Sequence, residues 1–181
     1  MKALVVIDCQ NDFITGALAN PEAEKRVPNI IRKIDEARDN GDLVIVTRDT
    51  HFEDTYMSTL EGQKLPVPHC IEGTEGWEIE PRIWHAADKI ESPQVLVYDK
   101  FTFGSLEMAI GLTSQPNIDE IEIVGFVSSI CVASNALLLR AAMPNMKITC
   151  DASCCAGLAK EDHDAAMTVL KCCQIDVIGE D

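Results

Sequence analysis

The sequence predicts a three-layer αβα domain of the α/β class, built on a six-stranded parallel sheet in the order 3-2-1-4-5-6. Three observations lead there. Short runs rich in β-branched residues alternate with segments of helical periodicity. The runs are apolar almost without interruption, as parallel strands covered on both faces are. The length of 181 residues suits a single core, and so a single domain spanning residues 1–181.

Each element can be justified in order. Residues 2–8 read as the first strand and end in a polar cluster. Residues 23–40 place Val27, Ile30, Ile31, Ile34 and Ala37 at helical spacing, and Gly41 follows as the stop. Residues 43–47, 95–100 and 121–126 read as strands two, three and four. Residues 129–142 read as a helix with Ile130, Ala133, Leu137 and Leu138 on one face and Pro144 beyond its end. Residues 146–150 form a fifth strand, 160–173 a helix and 175–178 a sixth strand. The exception is the long stretch 48–92, with Pro66, Pro68, Pro81, Gly62, Gly73, Gly76 and three of the four histidines. A stretch that long inside a compact domain is expected to be functional or to carry short elements of its own.

Composition narrows the function. With 30 Asp and Glu against 15 Lys and Arg, the net charge is −15. Such a surface repels phosphate backbones and anionic lipid, so neither a nucleic acid nor a membrane is an expected partner. No apolar run reaches the length of a membrane span, and the opening residues lack the pattern of a signal peptide. A cytoplasmic location with reduced thiols is therefore expected for the eight cysteines. Cys154-Cys155 and Cys172-Cys173 could form a soft metal cluster, but no C-x-x-C pair occurs and small core residues are the simpler reading.

In open α/β sheets ligands bind outside the carboxyl ends of the strands. Strand one ends at Asp8, strand two at Arg48-Asp49-Thr50-His51 and strand three at Asp99-Lys100, while the segment after strand four leads to Cys131. An acid, a lysine and a cysteine on one sheet edge are the residue types of one mechanism: Cys131 as nucleophile, Asp8 as its base and Lys100 as an orienting cation. A helix N-terminus and a neighbouring lysine are expected to lower the Cys131 pKa.

The segment Val5-Val6-Ile7-Asp8-Cys9-Gln10-Asn11-Asp12-Phe13, the nucleophile segment Gly125-Phe126-Val127-Ser128-Ser129-Ile130-Cys131-Val132, and Lys100 closing a strand between them resemble the isochorismatase-like cysteine hydrolases. The likeness is greatest to the nicotinamidase branch and runs along nearly the whole chain. The resemblance implies the isochorismatase-like, Rossmann-like fold and a catalytic triad of Asp8, Lys100 and Cys131. It also implies a cis peptide at Phe126–Val127 or the next bond, and an oxyanion hole from the amides of Val127 and Cys131. Asp49-Thr50-His51 resembles the D-x-H metal pair of nicotinamidases, and the stretch from Pro68 to Gly76 resembles the one supplying a second histidine, here His69. Glu61 matches a carboxylate ligand of some members. Together these imply a divalent metal, Zn²⁺ or else Fe²⁺ or Mn²⁺.

Phe13 is implied to line an aromatic pocket, with Phe103, Trp77 and Tyr56 as further candidates. His85 has no such context, and His163, at the start of a late helix, reads as structural. Two segments differ from the usual nicotinamidase pattern: Phe101-Thr102-Phe103-Gly104-Ser105 is compact, and Ser128-Ser129-Ile130 stands where Thr-Asp-aromatic is usual. The implied activity is hydrolysis of a small carboxamide through a cysteine thioester, nicotinamide first, by a homo-oligomer. Another amide or carbamoyl compound is the alternative within the family, and a non-catalytic binding or redox protein the alternative outside it. Isochorismatase itself lacks the nucleophilic cysteine, so Cys131 argues against that reaction.

Overall fold

The computed structural model describes residues 1–90 and 94–180; the last two residues of the long stretch, Pro93 and Asp181 lie outside them. Six parallel strands run in the order β3-β2-β1-β4-β5-β6, as expected. They are β1 (Lys2–Ile7), β2 (Leu43–Asp49), β3 (Val95–Lys100), β4 (Glu120–Phe126), β5 (Lys147–Ala156) and β6 (Asp176–Ile178). The order reverses between β1 and β4, which are direct neighbours. Their carboxyl ends carry Asp8 and the nucleophile segment, so the switch point brings these residues together.

Alternate residues of each strand feed two apolar layers. Leu4, Val6, Val44, Val46 and Val124 meet Val27, Ile30 and Ile34 of α2 (Pro21–Asn40), after the one-turn α1 (Asn11–Ile14). Ala3, Val5, Ile7, Ile45 and Ile123 face the opposite layer. That layer is built by three helices that follow α3 (Leu60–Lys64) and α4 (Pro81–Ala87) along the chain. These are α5 (Leu106–Thr113), α6 (Ala133–Ala142) and α7 (Lys160–Cys172), which contribute Met108, Leu112, Leu139, Met167 and Leu170.

Helix α2 shows how the sequence sets its own ends. The Asn20 side chain accepts from Glu22 N–H, Pro21 occupies the first turn, and Gly41 closes the helix at φ 69°. The helix thus starts two residues before the sequence pattern suggests.

Other elements differ further from expectation. The fifth strand runs on to Ala156 past a register shift opposite Ile123 and Gly125, because Ser153 and Lys33 satisfy Asp151 within it. The helix expected from residue 129 begins as a π-helical turn, Ser128–Val132, and becomes α-helical only at Ala133. As expected, the long stretch 48–92 carries short elements of its own, a 3₁₀ turn at Tyr56–Ser58 together with α3 and α4.

A buried ion network ties β1, β4 and α2 together. Glu122 lies 2.6 Å from both Lys2 Nζ and Lys33 Nζ, and Lys33 reaches Asp151 at 2.9 Å. Burial alone would raise the Glu122 pKa; the two ammonium groups overcome it and hold the carboxyl below its ordinary value. A carboxyl depressed in the folded state stabilises above its unfolded pKa of about 4.3 and loses that contribution as pH falls through the folded value. Glu122→Gln is therefore expected to lower the unfolding free energy by about 2 kcal/mol at pH 7. The gap between the two proteins should narrow in urea denaturation as pH falls from 7 to 3; a gap of equal size at both values would refute this account.

Candidate functional site

Asp8 follows directly on β1 and adopts φ 46°, a left-handed conformation unusual for a residue with a side chain. Thr47 on β2 stabilises it twice, accepting from Asp8 N–H at 3.1 Å and donating to Asp8 Oδ1 at 2.6 Å. Lys100, the last residue of β3, is buried and places Nζ 2.7 Å from Asp8 Oδ2 in a close ion pair. The same ammonium donates to Asp49 Oδ1 at 3.0 Å and to Thr102 O at 3.2 Å, and lies 3.6 Å from Cys131 Sγ. The structure thus gathers the three expected catalytic residues around one cation.

Cys131 sits in the π-helical turn, just beyond a cis peptide at Phe126–Val127, the first of the two bonds expected. Gly125 lets this turn approach Asp8: a Cβ there would stand 2.1 Å from Ile7 O, and its φ is 122°. Val127 and Cys131, the expected oxyanion-hole residues, line one cavity.

The electrostatics differ from expectation at the thiol. Burial, followed by the Asp8 charge, raises the Cys131 pKa well above its ordinary value, and Lys100 offsets only part of this. The Cys131 side chain is almost wholly enclosed, so the desolvation of a thiolate outweighs the dipole and the lysine. Burial raises Asp8 too, against the pull of Lys100. Burial would lower Lys100, but Asp8, Cys131 and Asp49 together push it up, so it stays charged. A protonated thiol beside a carboxylate of raised proton affinity is an arrangement for passing the proton from one to the other.

Next to this group, Asp49, His51, Glu61 and His69 present one donor atom each, all within 4.8 Å of one another. His51 Nε2 and His69 Nε2 lie 3.1 Å and 3.7 Å from Asp49 Oδ2, and 3.8 Å and 3.6 Å from Glu61 Oε1. Two imidazoles and two carboxylates converging in this way form a donor set that fits a divalent cation. The surroundings prepare it. His69 Nδ1 meets Val67 O at 2.9 Å, which turns Nε2 toward the carboxylates. Tyr56 donates to Leu65 O at 2.7 Å and touches the same Nδ1 at 3.2 Å. Burial pushes the Tyr56 hydroxyl up to about 12, so it remains a donor. Asp49 lies far below the usual carboxylate range because the histidines and Lys100 overcome its burial. Burial and the Asp49 charge raise Glu61.

The cavity over both groups measures about 610 Å³. Asp49, His51, Glu61, His69 and Cys131 line it, with Phe13, Phe101, Phe103, Ile130 and Leu158 as apolar wall. Phe13 is buried, and Phe103 is half-exposed at the rim. Trp77 lies elsewhere, with Nε1 donating to Thr50 Oγ1 at 2.9 Å and the Arg48 guanidinium 3.7 Å over its ring. Tyr56 acts behind His69 and does not line the cavity.

Several supporting residues escaped the sequence reading. Gln10 donates to Asp49 O and Trp77 O and accepts from Asp49 N–H. Asp12 accepts from Cys70 N–H at 2.7 Å, beside His69. The polar cluster after β1 thus fixes the Asp49 and His69 donor segments to the strand of Asp8. Asn135 on α6 donates to Cys131 O and Phe103 O and accepts from Ser105 N–H, clamping the turn to the loop after β3. A lone Asn within an apolar helical pattern was its only trace in the sequence.

Comparison with known proteins agrees with this geometry. The isochorismatase domain model matches residues 2–180. A nicotinamidase of Escherichia coli strain K12 is 28% identical over 188 aligned positions, covering 91% of this chain and 87% of that protein. The crystal structure of a nicotinamidase from Bacillus subtilis superposes with a TM-score of 0.82 at 27% identity, covering 97% of this chain and 98% of the other. A pyrazinamidase of Pyrococcus horikoshii, solved in complex with zinc, shares the fold at a TM-score of 0.80 and 23% identity over 99% of both chains. With a match of this extent over a sheet and sheet-edge cluster of this kind, the chain belongs to the isochorismatase family.

Proposed function

We propose that the protein hydrolyses nicotinamide to nicotinate and ammonia, with Cys131 as nucleophile. One observation carries this reading: Cys131, with Lys100 and Asp8 buried behind it, lines the same cavity as the Asp49, His51, Glu61 and His69 donor set. The nicotinamidase relatives supply the substrate.

Asp8 takes the thiol proton as Cys131 Sγ attacks the carboxamide carbon. The carbonyl oxygen gains the charge and is held by the backbone N–H groups of Val127 and Cys131. The C–N bond breaks, and Asp8 returns its proton to the leaving nitrogen, which departs as ammonia. A water molecule then gives a proton to Asp8 and adds its oxygen to the thioester. The acid leaves, and Cys131 recovers the proton. Lys100 remains charged throughout and fixes Asp8 between two roles. Asp49, His51, Glu61 and His69 would hold the metal, with zinc favoured by the two imidazoles. When bound it supplies a Lewis acid for a ring nitrogen, which orients the amide. Phe13 and Phe103 flank the ring.

The test is ammonia release from nicotinamide by zinc-replete protein, run beside a panel of small amides and ureido acids. Nicotinamide should give the highest kcat/KM. Release only from other amides would discard nicotinamide and keep the cysteine chemistry, an outcome the wide apolar rim of Phe101, Phe103 and Leu158 would accommodate.

A further inference from the structure

A second cavity, of about 710 Å³, lies between α2, the end of β5 and the first turns of α7, with Arg26, Cys155, Gly157, His163 and Met167 among its lining residues. Among the described residues it shares no lining residue with the reaction cavity. His163 lines this second cavity and reaches the turn that carries Cys131. Its Nδ1 lies 2.8 Å from Oγ of Ser128, a fully buried residue that opens the π-helical turn carrying Cys131. Helix α7 packs against this turn. The turn is therefore held at two points: Asn135 grips the Cys131 carbonyl from one side, and His163 grips Ser128 from the other.

We infer that His163 is a positioning residue of the proposed reaction, holding through Ser128 the turn that aims Cys131 at the amide carbon. It touches neither substrate nor reacting atoms. The inference rests on the reading of Cys131 as nucleophile, and it revises the purely structural role that the sequence suggested for this histidine. Burial, helped by the charges of Arg26 and Lys160 and opposed by those of Asp164 and Glu180, lowers the His163 pKa. The ring that meets Ser128 is thus neutral near neutral pH, and its Nδ1 can serve the hydroxyl as acceptor or donor.

The bond runs through Nδ1, the ring position that an asparagine amide reproduces and a glutamine amide does not. In the full-length, zinc-replete protein, His163→Gln should lower kcat for ammonia release about ten-fold while KM stays within about two-fold. Alkylation of Cys131 by iodoacetamide, followed by peptide mass spectrometry, should slow by a similar factor. His163→Asn should retain most of both rates. His163→Ala leaves a gap facing a cavity that solvent reaches, so added free imidazole should restore its alkylation rate saturably. Ser128→Ala combined with His163→Gln should be no slower than either change alone, because both break one bond.

Equal behaviour of the Asn and Gln variants would overturn the inference. So would a loss that follows melting temperature and ignores imidazole. Should His163→Ala fail to fold, the Asn and Gln pair decides alone. If the unaltered protein releases no ammonia from nicotinamide, the proposed substrate fails, and the alkylation rates still decide the role of His163.

Discussion

Replacing Cys131 with serine is expected to reduce ammonia release by about 10³-fold or more while leaving the fold and its metal content unchanged. The reasoning starts from the surroundings of the sulfur. Cys131 is almost wholly buried, and Lys100 Nζ, 3.6 Å away, is shared with Asp8 and Asp49. Serine fills nearly the same volume, so packing changes little. Its hydroxyl is a far weaker acid than a thiol, and burial that already raises the thiol pKa would raise that of the hydroxyl as well. The proton transfer to Asp8 then becomes the barrier.

Lys100→Ala is a poorer probe. It would leave the buried carboxylates of Asp8 and Asp49 without their common cation, a destabilisation of about 3–5 kcal/mol that confounds activity with folding. Kinetics should therefore be accompanied by alkylation of Cys131, resolved by peptide mapping because Cys172 is exposed and will also react. Asp8→Asn should slow alkylation at Cys131 alone. Full activity of the serine variant, or alkylation at Cys131 indifferent to Asp8, would remove Cys131 from the reaction.

Much of this site could be read from the sequence because the fold does the assembling. Four strand ends at a switch point must lie close together, so Asp8, Asp49, Lys100 and the approach to Cys131 could be grouped from strand order alone. The supporting contacts were hidden for different reasons. Over five residues a π turn and an α turn bury nearly the same side chains, so the hydrophobic pattern of residues 128–132 could not separate them. Helix α5 buries Met108, Ala109 and Leu112 in only eight residues with a glycine among them, too short a pattern to register. Asn135 looked like a stray polar residue until its three partners were seen.

Burial misled the reading of the thiol. A helix N-terminus and a lysine lower a thiol pKa in solvent, but the sequence does not report how completely the turn is enclosed. The His51 and His69 pair was visible as two motifs. That Glu61 closes the same donor set follows from the 3₁₀ turn and α3, which fold it back over Asp49.

Stripping divalent metal with a chelator is expected to raise KM for nicotinamide strongly, with a smaller fall in kcat, and to leave the rate of Cys131 alkylation within about two-fold of the holoprotein. The two readouts separate because the site is divided. Asp49 turns Oδ1 toward Lys100, at 3.0 Å, and Oδ2 toward His51 and His69. Only this one carboxylate belongs to both groups, and Thr47 and Lys100 continue to hold Asp8 when the cation is gone. The same division selects the variant. Asp49→Ala would damage both halves, whereas His51→Ala with His69→Ala removes two metal donors and spares every contact of Lys100. Holoprotein should bind about one zinc per chain, and the double-histidine variant should bind none. Metal should also stabilise the fold by mass action, about 4 kcal/mol at a thousand times the dissociation constant, seen as a chelator-dependent drop in melting temperature. The cluster explains that direction: without a cation, Asp49 and Glu61 repel each other, and this repulsion adds to burial in raising the Glu61 pKa while His51, His69 and Lys100 oppose it. Unchanged KM after verified removal of the metal would place the cation outside substrate positioning, and a parallel collapse of Cys131 alkylation would show that the two halves are one unit.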